Sequence, residues 1–273
     1  MSFKWRKTAI TVLATISTSW IIQQPGSSDV PPDNNPVLSE SLCLAVLEDA
    51  LKKGRSSNWN LSEQDRKILL QCRSQFYSSP NNAPLPTASQ CIAVSQTLMQ
   101  QGLDKLVELN ISEAQSRSLQ KCGEVIKAYY IPSKAMLPTL QVNDRIILDK
   151  TAYRTQTPRR GDIVIFQPTK SLQQQNFKEV FIKRVIGLPG ERVEVRNGTV
   201  YINKKPVKEA YIAERPQYQY GPVVIPRNSY FVLGDNRNNS HDSHYWGFVP
   251  RDLIVGKVVW RYYPLDRAGS LSQ

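Results

Sequence analysis

Three short stretches hold the residues whose types and spacing could do chemistry. The first is IPSKAMLPTL, residues 131–140. Pro132 and Pro138 fix φ locally and bias the residue before each towards extended backbone, so the segment reads as a stiff, exposed loop. In extended backbone Ser133 and Ala135 share one face, with Lys134 on the other. The second stretch is FIKRVIGLPGE, residues 181–191, where Phe181, Ile182, Val185 and Ile186 surround the Lys183-Arg184 pair. A strand lysine is ordinarily a solvated edge residue. One taken out of water instead has its pKa lowered and can serve as a general base. The third is GDNRNNSHDSHYWG, residues 234–247. Its polar turn carries Asp235, Arg237, Ser240 and Asp242, four groups able to build a hydrogen-bond network.

A β frame must position these groups. From about Val125 the pattern turns to period two and to β-branched residues: RIIL (145–148), DIVIF (162–166), VFIKRVIGL (180–188), RVEVR (192–196), TVYIN (199–203), SYFVLG (229–234) and IVGKVVWRYY (254–263). Asn197-Gly198 between two of these is a type I′ hairpin signal. Gly and Pro clusters at 187–190 and 221–226 read as turns and loops. Short strands without intervening helical patterns imply an antiparallel β domain over 125–273.

Charge and cysteines bound what precedes that domain. Residues 123–273 carry 23 basic against 13 acidic groups, +10 of the chain's formal +12. Such a surface suits nucleic acid or an anionic membrane. The N-terminus separates the two. Lys4, Arg6 and Lys7 precede an uncharged run from Thr8 to Gln24 that ends at Pro25-Gly26. This is a signal-type segment, a retained anchor or a cleaved leader, with its positive charges inside and the bulk of the chain on the outer face. Nucleic acid is excluded as a partner on that topology. Residues 1–24 are assigned to the tail and anchor and 25–40 to a Pro-rich spacer.

An internal repeat follows. SLCLAVLEDALKKG (41–54) aligns with SQCIAVSQTLMQQG (89–102), and NLSEQDRKILLQC (60–72) with NISEAQSRSLQKC (110–122). Each copy reads as a helical hairpin, over 41–76 and 89–124, joined by a Pro-containing linker at 77–88. The second helices open on Ser62 and Ser112, both plausible N-caps, with Gln115 completing a capping box in the second copy. Each hairpin has one cysteine near the start of its first helix and one at the end of its second, positions that neighbour each other in an antiparallel pair. The bridges Cys43–Cys72 and Cys91–Cys122 are therefore expected, each closing about 30 residues and contributing about 3 kcal/mol. An exported location, the lack of CxxC spacing and only two histidines argue against a zinc site. Nothing in the hairpins carries recognisable chemistry, so 41–122 reads as a spacer or a surface for docking a protein partner.

Taken together, IPSKAMLPTL, RGDIVIF (160–166), KRVIGLPGE (183–191) and GDNRNNSHDSHYWG resemble, in order, the motifs of bacterial-type signal peptidase I. That family comprises membrane-anchored serine endopeptidases with a Ser/Lys dyad. The resemblance spans residues 130–264 and leaves out the hairpin repeat. It implies a signal-peptidase-like β domain, with Lys183 as general base, Ser133 as the hydroxyl helping to build the oxyanion hole, Ser240 as the serine that orients the lysine, Asp235, Arg237 and Asp242 in support, and Met136 after the nucleophile. The nucleophile position itself is Ala135. A methyl group cannot attack a carbonyl, so no acyl-enzyme can form there. Ser133 lies about 6–7 Å away along an extended strand, too far to substitute. His244 stands where the family has Arg, which weakens an ion pair with Asp242 at neutral pH.

The resemblance further implies a single-pass membrane location and, as partners, membrane lipid and the signal peptides of exported preproteins, read at A-x-A-like sites on the outer, periplasmic or lumenal face. No metal, nucleotide or other cofactor is implied. Three readings stay open: a peptidase whose serine was replaced, a natural pseudopeptidase that binds signal peptides or regulates an active enzyme, and a protein whose hairpin repeat is the working part.

Overall fold

The computed structural model describes residues 85–101 and 121–271, together with scattered positions between 42 and 72. The expected anchor, the spacer, most of the first hairpin and of the linker, and residues 102–120 of the second hairpin, with the expected cap at Ser112 and Gln115, lie outside the described residues. Among the described residues no helix is long and apolar enough to cross a membrane. The chain divides into two compact units, residues 1–129 and 130–273.

In the first unit the two bridges pair as the repeat implies, Cys43 with Cys72 and Cys91 with Cys122, at Cα separations of 5.8 and 5.5 Å. All four cysteines are fully buried. Capping chemistry starts the helices on both sides of the linker. Asp65 N donates to Ser62 Oγ at 3.1 Å, and Ser62 N donates back to the Asp65 carboxylate at 3.3 Å. Thr87 and Gln90 make the same reciprocal pair, at 2.8 and 3.2 Å, at the head of α1 (Ala88–Gln101). These are capping boxes, in which two orphan N–H groups are satisfied at once. In the first copy the returning acid is Asp65, and Thr87 caps a helix whose start the repeat alone did not mark. A short helix, α2 (Cys122–Val125), and the strand β1 (Ile126–Tyr130) follow.

The second unit is built on two antiparallel sheets. Its strands are β2 (Arg145–Asp149), β3 (Ile163–Phe166), β4 (Phe181–Gly187), β5 (Arg192–Arg196), β6 (Thr199–Ile202), β7 (Lys205–Pro206), β8 (Tyr220–Val224), β9 (Ser229–Leu233), β10 (Val249–Pro250), β11 (Ile254–Tyr263) and β12 (Gly269–Ser270). The larger sheet runs β2-β11-β3-β4-β9-β10, with β12 against β11, and the smaller runs β7-β6-β5-β8. Two short helices interrupt the strands: α3 (Lys170–Gln174), capped by Thr169, and α4 (Ser243–Trp246), capped by Asp242.

Alternation explains why the central strands are buried throughout. On β4 and β9, Val185, Tyr230 and Val232 join one apolar cluster, with Phe166 and Trp246, while Ile186, Phe231 and Leu233 join another, with Val193, Val195 and Val200. Successive side chains on a strand point to opposite faces, so both faces of the pair are packed. The Asn197-Gly198 turn behaves as its sequence requires: φ is 50° and 71°, the two positive values of a type I′ hairpin, between β5 and β6.

Residues 221–226, expected as loop, instead contribute to strand β8 (Tyr220–Val224), paired with β5. Gly221 and Pro222 are tolerated because β8 is the edge of its sheet, where a missing N–H costs no ladder bond. Gly221 has φ +75°, and a Cβ there would lie 2.6 Å from Val193 O. Turn residues in the middle of a short strand hid the period-two pattern.

Phe231 has no exposed surface and meets the rings of Tyr220 and Phe248 at 5.1 and 6.2 Å. Phe231→Ala should cost about 3–5 kcal/mol, by lost transfer energy plus the cavity left behind. Urea unfolding followed by tryptophan fluorescence reads this as a lowered midpoint; a loss below about 1 kcal/mol would contradict the packing described.

Candidate active site

The 131–140 loop does not run extended. Leu137 N donates to Lys134 O at 3.1 Å and Leu140 N to Met136 O at 2.9 Å, so the chain turns back on itself. The expected shared face is lost. Ser133 is exposed, whereas Ala135 and Met136 are buried, at 9% and 1% exposure. Proline bracketing fixed the ends of the segment but did not determine the hydrogen bonds between them.

The 234–247 loop docks directly on position 135. Asn236 N donates to Ala135 O, and Asn236 Nδ2 to Lys134 O, both at 3.1 Å. Gly234 is where the two segments touch: a Cβ there would sit 2.2 Å from Ser240 Oγ and 2.4 Å from Ala135 O. No other residue fits without moving one of the loops.

Beside this contact lies a buried charge network. Asp235, fully buried, accepts from Arg184 Nε at 2.8 Å and Nη2 at 2.6 Å, and from Thr139 Oγ1 at 2.5 Å. Arg184 also donates to Gly161 O at 2.7 Å and lies 4.1 Å from the centre of the Tyr211 ring. The network thus joins β4, the end of β9 and the loop bearing Ala135. Arg237 donates its Nε to Gly234 O at 3.0 Å and forks onto Glu209 at 2.7 and 2.6 Å. Fork-shaped pairs of this kind satisfy both partners' charges in a low-dielectric setting.

Lys183 occupies β4 opposite Val164 of β3 and is 4% exposed. Its ammonium donates to Ile182 O at 2.9 Å and stands 5.5 Å from the centre of the Phe181 ring. Burial pulls its pKa down to about 8, against the opposing pull of the Asp242 and Asp235 carboxylates. Lys183 is therefore the desolvated alternative and not the ordinary solvated edge lysine.

Asp242 accepts Gly234 N–H at Oδ2, at 2.9 Å, and the backbone N–H of His244 at Oδ1, at 3.3 Å. The imidazole Nδ1 of His244 lies 2.6 Å from the same Oδ1. The contact between positions 242 and 244 is therefore present with His in place of Arg. Ser240 Oγ is buried and has no hydrogen-bond partner, and the Lys183 ammonium points to Ile182 O rather than to it. Among the described residues no group of three or more His, Cys, Asp and Glu side chains is arranged to hold a metal ion.

Sequence reasoning passed over Thr139, Arg184 and Glu209 as site residues. Thr139 and Arg184 sit inside the quoted motifs, next to residues that were singled out. Glu209 lies in a polar stretch, KEAYIAERP, with no local signal; only the fold brings it to Arg237.

The unit is thus a mainly antiparallel β domain with a buried lysine on β4. Residues 120–263 match the signal peptidase, peptidase S26, family. The chain is 55% identical over 148 residues to the probable signal peptidase I-2 of Synechocystis sp., covering 54% of this chain and 68% of that one. It is 57% identical over 149 residues to a signal peptidase I of Leptolyngbya laminosa, covering 54% of this chain and 73% of that one. A probable thylakoidal processing peptidase 2 of Arabidopsis thaliana is 41% identical over 143 residues, 52% of this chain and 39% of that one. The chain belongs to the signal peptidase S26 family.

The lowered lysine pKa has a measurable sign. Between pH 8 and 10 the unfolded chain binds the proton that the folded chain has given up, so Lys183 makes stability rise with pH in that window; below pH 8 the full cost of burying the cation, about 3 kcal/mol, is present. Lys183→Met should therefore stabilise the domain at pH 7 by an amount of that order, with the gap to the parent narrowing as pH rises to 10. Denaturant titrations at a series of pH values test this, and a gap independent of pH would refute it.

Proposed function

We propose that this chain is a signal peptidase I-type scaffold that recognises signal peptides of exported preproteins, at A-x-A-like sites, on the outer face of a membrane, and that it does not cleave them at a useful rate. The observation that carries the reading is a buried lysine with a lowered pKa at the position the motif gives to the base, together with a methyl group at the position it gives to the nucleophile. In this reading Lys183 is the general base, Ser133 the hydroxyl that assists the oxyanion hole, and Ser240 the serine that orients the base. Asp235, Arg237 and Asp242 hold the surrounding backbone. A serine at 135 would attack the scissile carbonyl while Lys183 took its proton, giving an acyl-enzyme that water then hydrolyses. With Ala135 the sequence stops at binding.

The reading also places residues 1–24 as a single-pass anchor with the N-terminus inside, next to lipid. An extended signal-peptide segment would add beside the loop as a strand, with small-residue pockets supplying specificity. A second role, as a natural pseudopeptidase that binds or regulates an active enzyme through residues 41–122, is favoured by one observation. The family match begins at residue 120, leaving both disulfide-closed hairpins almost wholly outside it.

Ala135→Ser is the direct test. Removing the nucleophile from a serine-based unit costs on the order of 10⁶ in turnover, so the substituted chain should cleave a preprotein with an A-x-A site at least several thousand-fold faster than the parent. Both should bind the peptide equally. No cleavage by the Ala135→Ser chain would show that the site lacks more than one oxygen.

A further inference from the structure

The loop that carries residue 135 is closed at its base and tied near its exit by the C-terminal segment. At the base, Ile131 N donates to Asp144 O and Asn143 N to Ile131 O, both at 2.9 Å. The Asp144 side chain has no exposed surface, and its carboxylate closes the corner by accepting Gln141 N at 2.9 Å. Its charge is met from beyond β11. There the chain makes one 3-10 turn (Leu265–Arg267) and returns as β12, with Gly269 opposite Arg261. The Arg267 guanidinium forks onto both Asp144 oxygens, and Arg261 Nη1 adds a longer ion pair to Oδ2 at 3.5 Å. Arg261 also reaches the loop itself: its Nη1 donates to Thr139 O at 2.9 Å, while its Nε donates to Arg267 O at 2.6 Å. Thr139, whose hydroxyl bonds to Asp235, is thereby held at its carbonyl as well.

We propose that Arg267 is a positioning residue for the site, fixing residue 135 through Asp144 and Arg261. One residue serves both ties. Its side chain compensates the buried carboxylate at the loop base, and its carbonyl aims Arg261 at Thr139. Position 135 lies midway between the two fixed points, four residues after Ile131 and four before Thr139. Without the fork, Asp144 would be left to Arg261 alone, and a buried carboxylate needs its partner enough to draw that guanidinium off Thr139 O. The loop would still be docked, because Asn236 N bonds to Ala135 O independently of the strap. What it would lose is precision, and displacement of a reacting group by about 1 Å can cost on the order of 10²-fold in rate. The family match ends at residue 263, so this tie is supplied by a part of the chain beyond it.

The inference rests on 135 being the nucleophile position, and its first test needs neither cleavage nor peptide. Hydrogen–deuterium exchange of the full chain, read by mass spectrometry, compares Arg267→Gln with the parent over 131–144 and over 193–207 in the small sheet. Exchange over 131–144 should quicken at least about tenfold, with 193–207 unchanged to within about twofold. Unchanged exchange over 131–144, or an equal rise in both segments, would overturn the inference, the latter because it marks a general loss of stability. Asp144→Asn keeps an acceptor for Gln141 N but gives up the charge, so it should loosen the same segment, and adding Arg267→Gln to it should change little more. Effects that multiply independently would also overturn it. In an Ala135→Ser background, Arg267→Gln should lower kcat by about 10- to 100-fold with KM within about threefold, the mark of a misplaced reacting group; a raised KM at constant kcat would count against it. If the Ala135→Ser chain does not cleave, the functional reading fails while the exchange result still decides the role of Arg267.

Discussion

The Arg184–Asp235 pair is the interaction on which the rest of the site depends. Both side chains are out of solvent, and the two guanidinium contacts at 2.8 and 2.6 Å, with Thr139 at 2.5 Å, leave neither charge uncompensated. Removing one partner from such a pair typically costs about 3–5 kcal/mol, since the other is left buried and charged. The pair also fixes geometry. Arg184 and Lys183 are consecutive on β4, so their side chains leave opposite faces of the strand. Anchoring Arg184 to Asp235 and Gly161 fixes the face on which Lys183 must lie, and that face is apolar enough to pull its pKa down to about 8.

A second constraint is steric. Gly234 lets two loops of opposite character, one proline-bracketed and one rich in Asn, Asp and Ser, approach to contact distance. Asn236 and Arg237 then bond to backbone on either side of that contact. Position 135 is thereby held by its own carbonyl and by the loop facing it, whatever its side chain. None of the hydrogen bonds described at residue 135 uses a side-chain atom, so the geometry of this contact does not depend on which small side chain stands there.

Much of this was legible in the sequence, and the losses have physical causes. Period-two runs located β4, β5, β9 and β11 to within a residue or two, because their faces are buried and cannot slip register. Asn197-Gly198 gave its hairpin, because few other residues accept two positive φ values in succession. The cysteine spacing gave both bridges. Strand β8 was missed because an edge tolerates the glycine and proline that normally signal a loop. The course of 133–140 differs from the extended expectation because local bonds, Leu137 N to Lys134 O and Leu140 N to Met136 O, fold the segment back between its two prolines. Ser240 was expected to steady Lys183, yet its hydroxyl has no partner and the ammonium bonds to Ile182 O. Motif spacing places residues in a site but does not choose their rotamers. Glu209, opposite Arg237, left no sequence signal at all.

The central claim is that one side-chain oxygen separates this chain from acyl-enzyme chemistry. Intact-mass analysis after incubation with an activated peptide ester ending in Ala-x-Ala tests it most directly. The account predicts a single acyl adduct on the Ala135→Ser chain, mapped by fragmentation to residue 135, and none on the parent. An adduct on the parent, at Ser133 or Ser240, would contradict it.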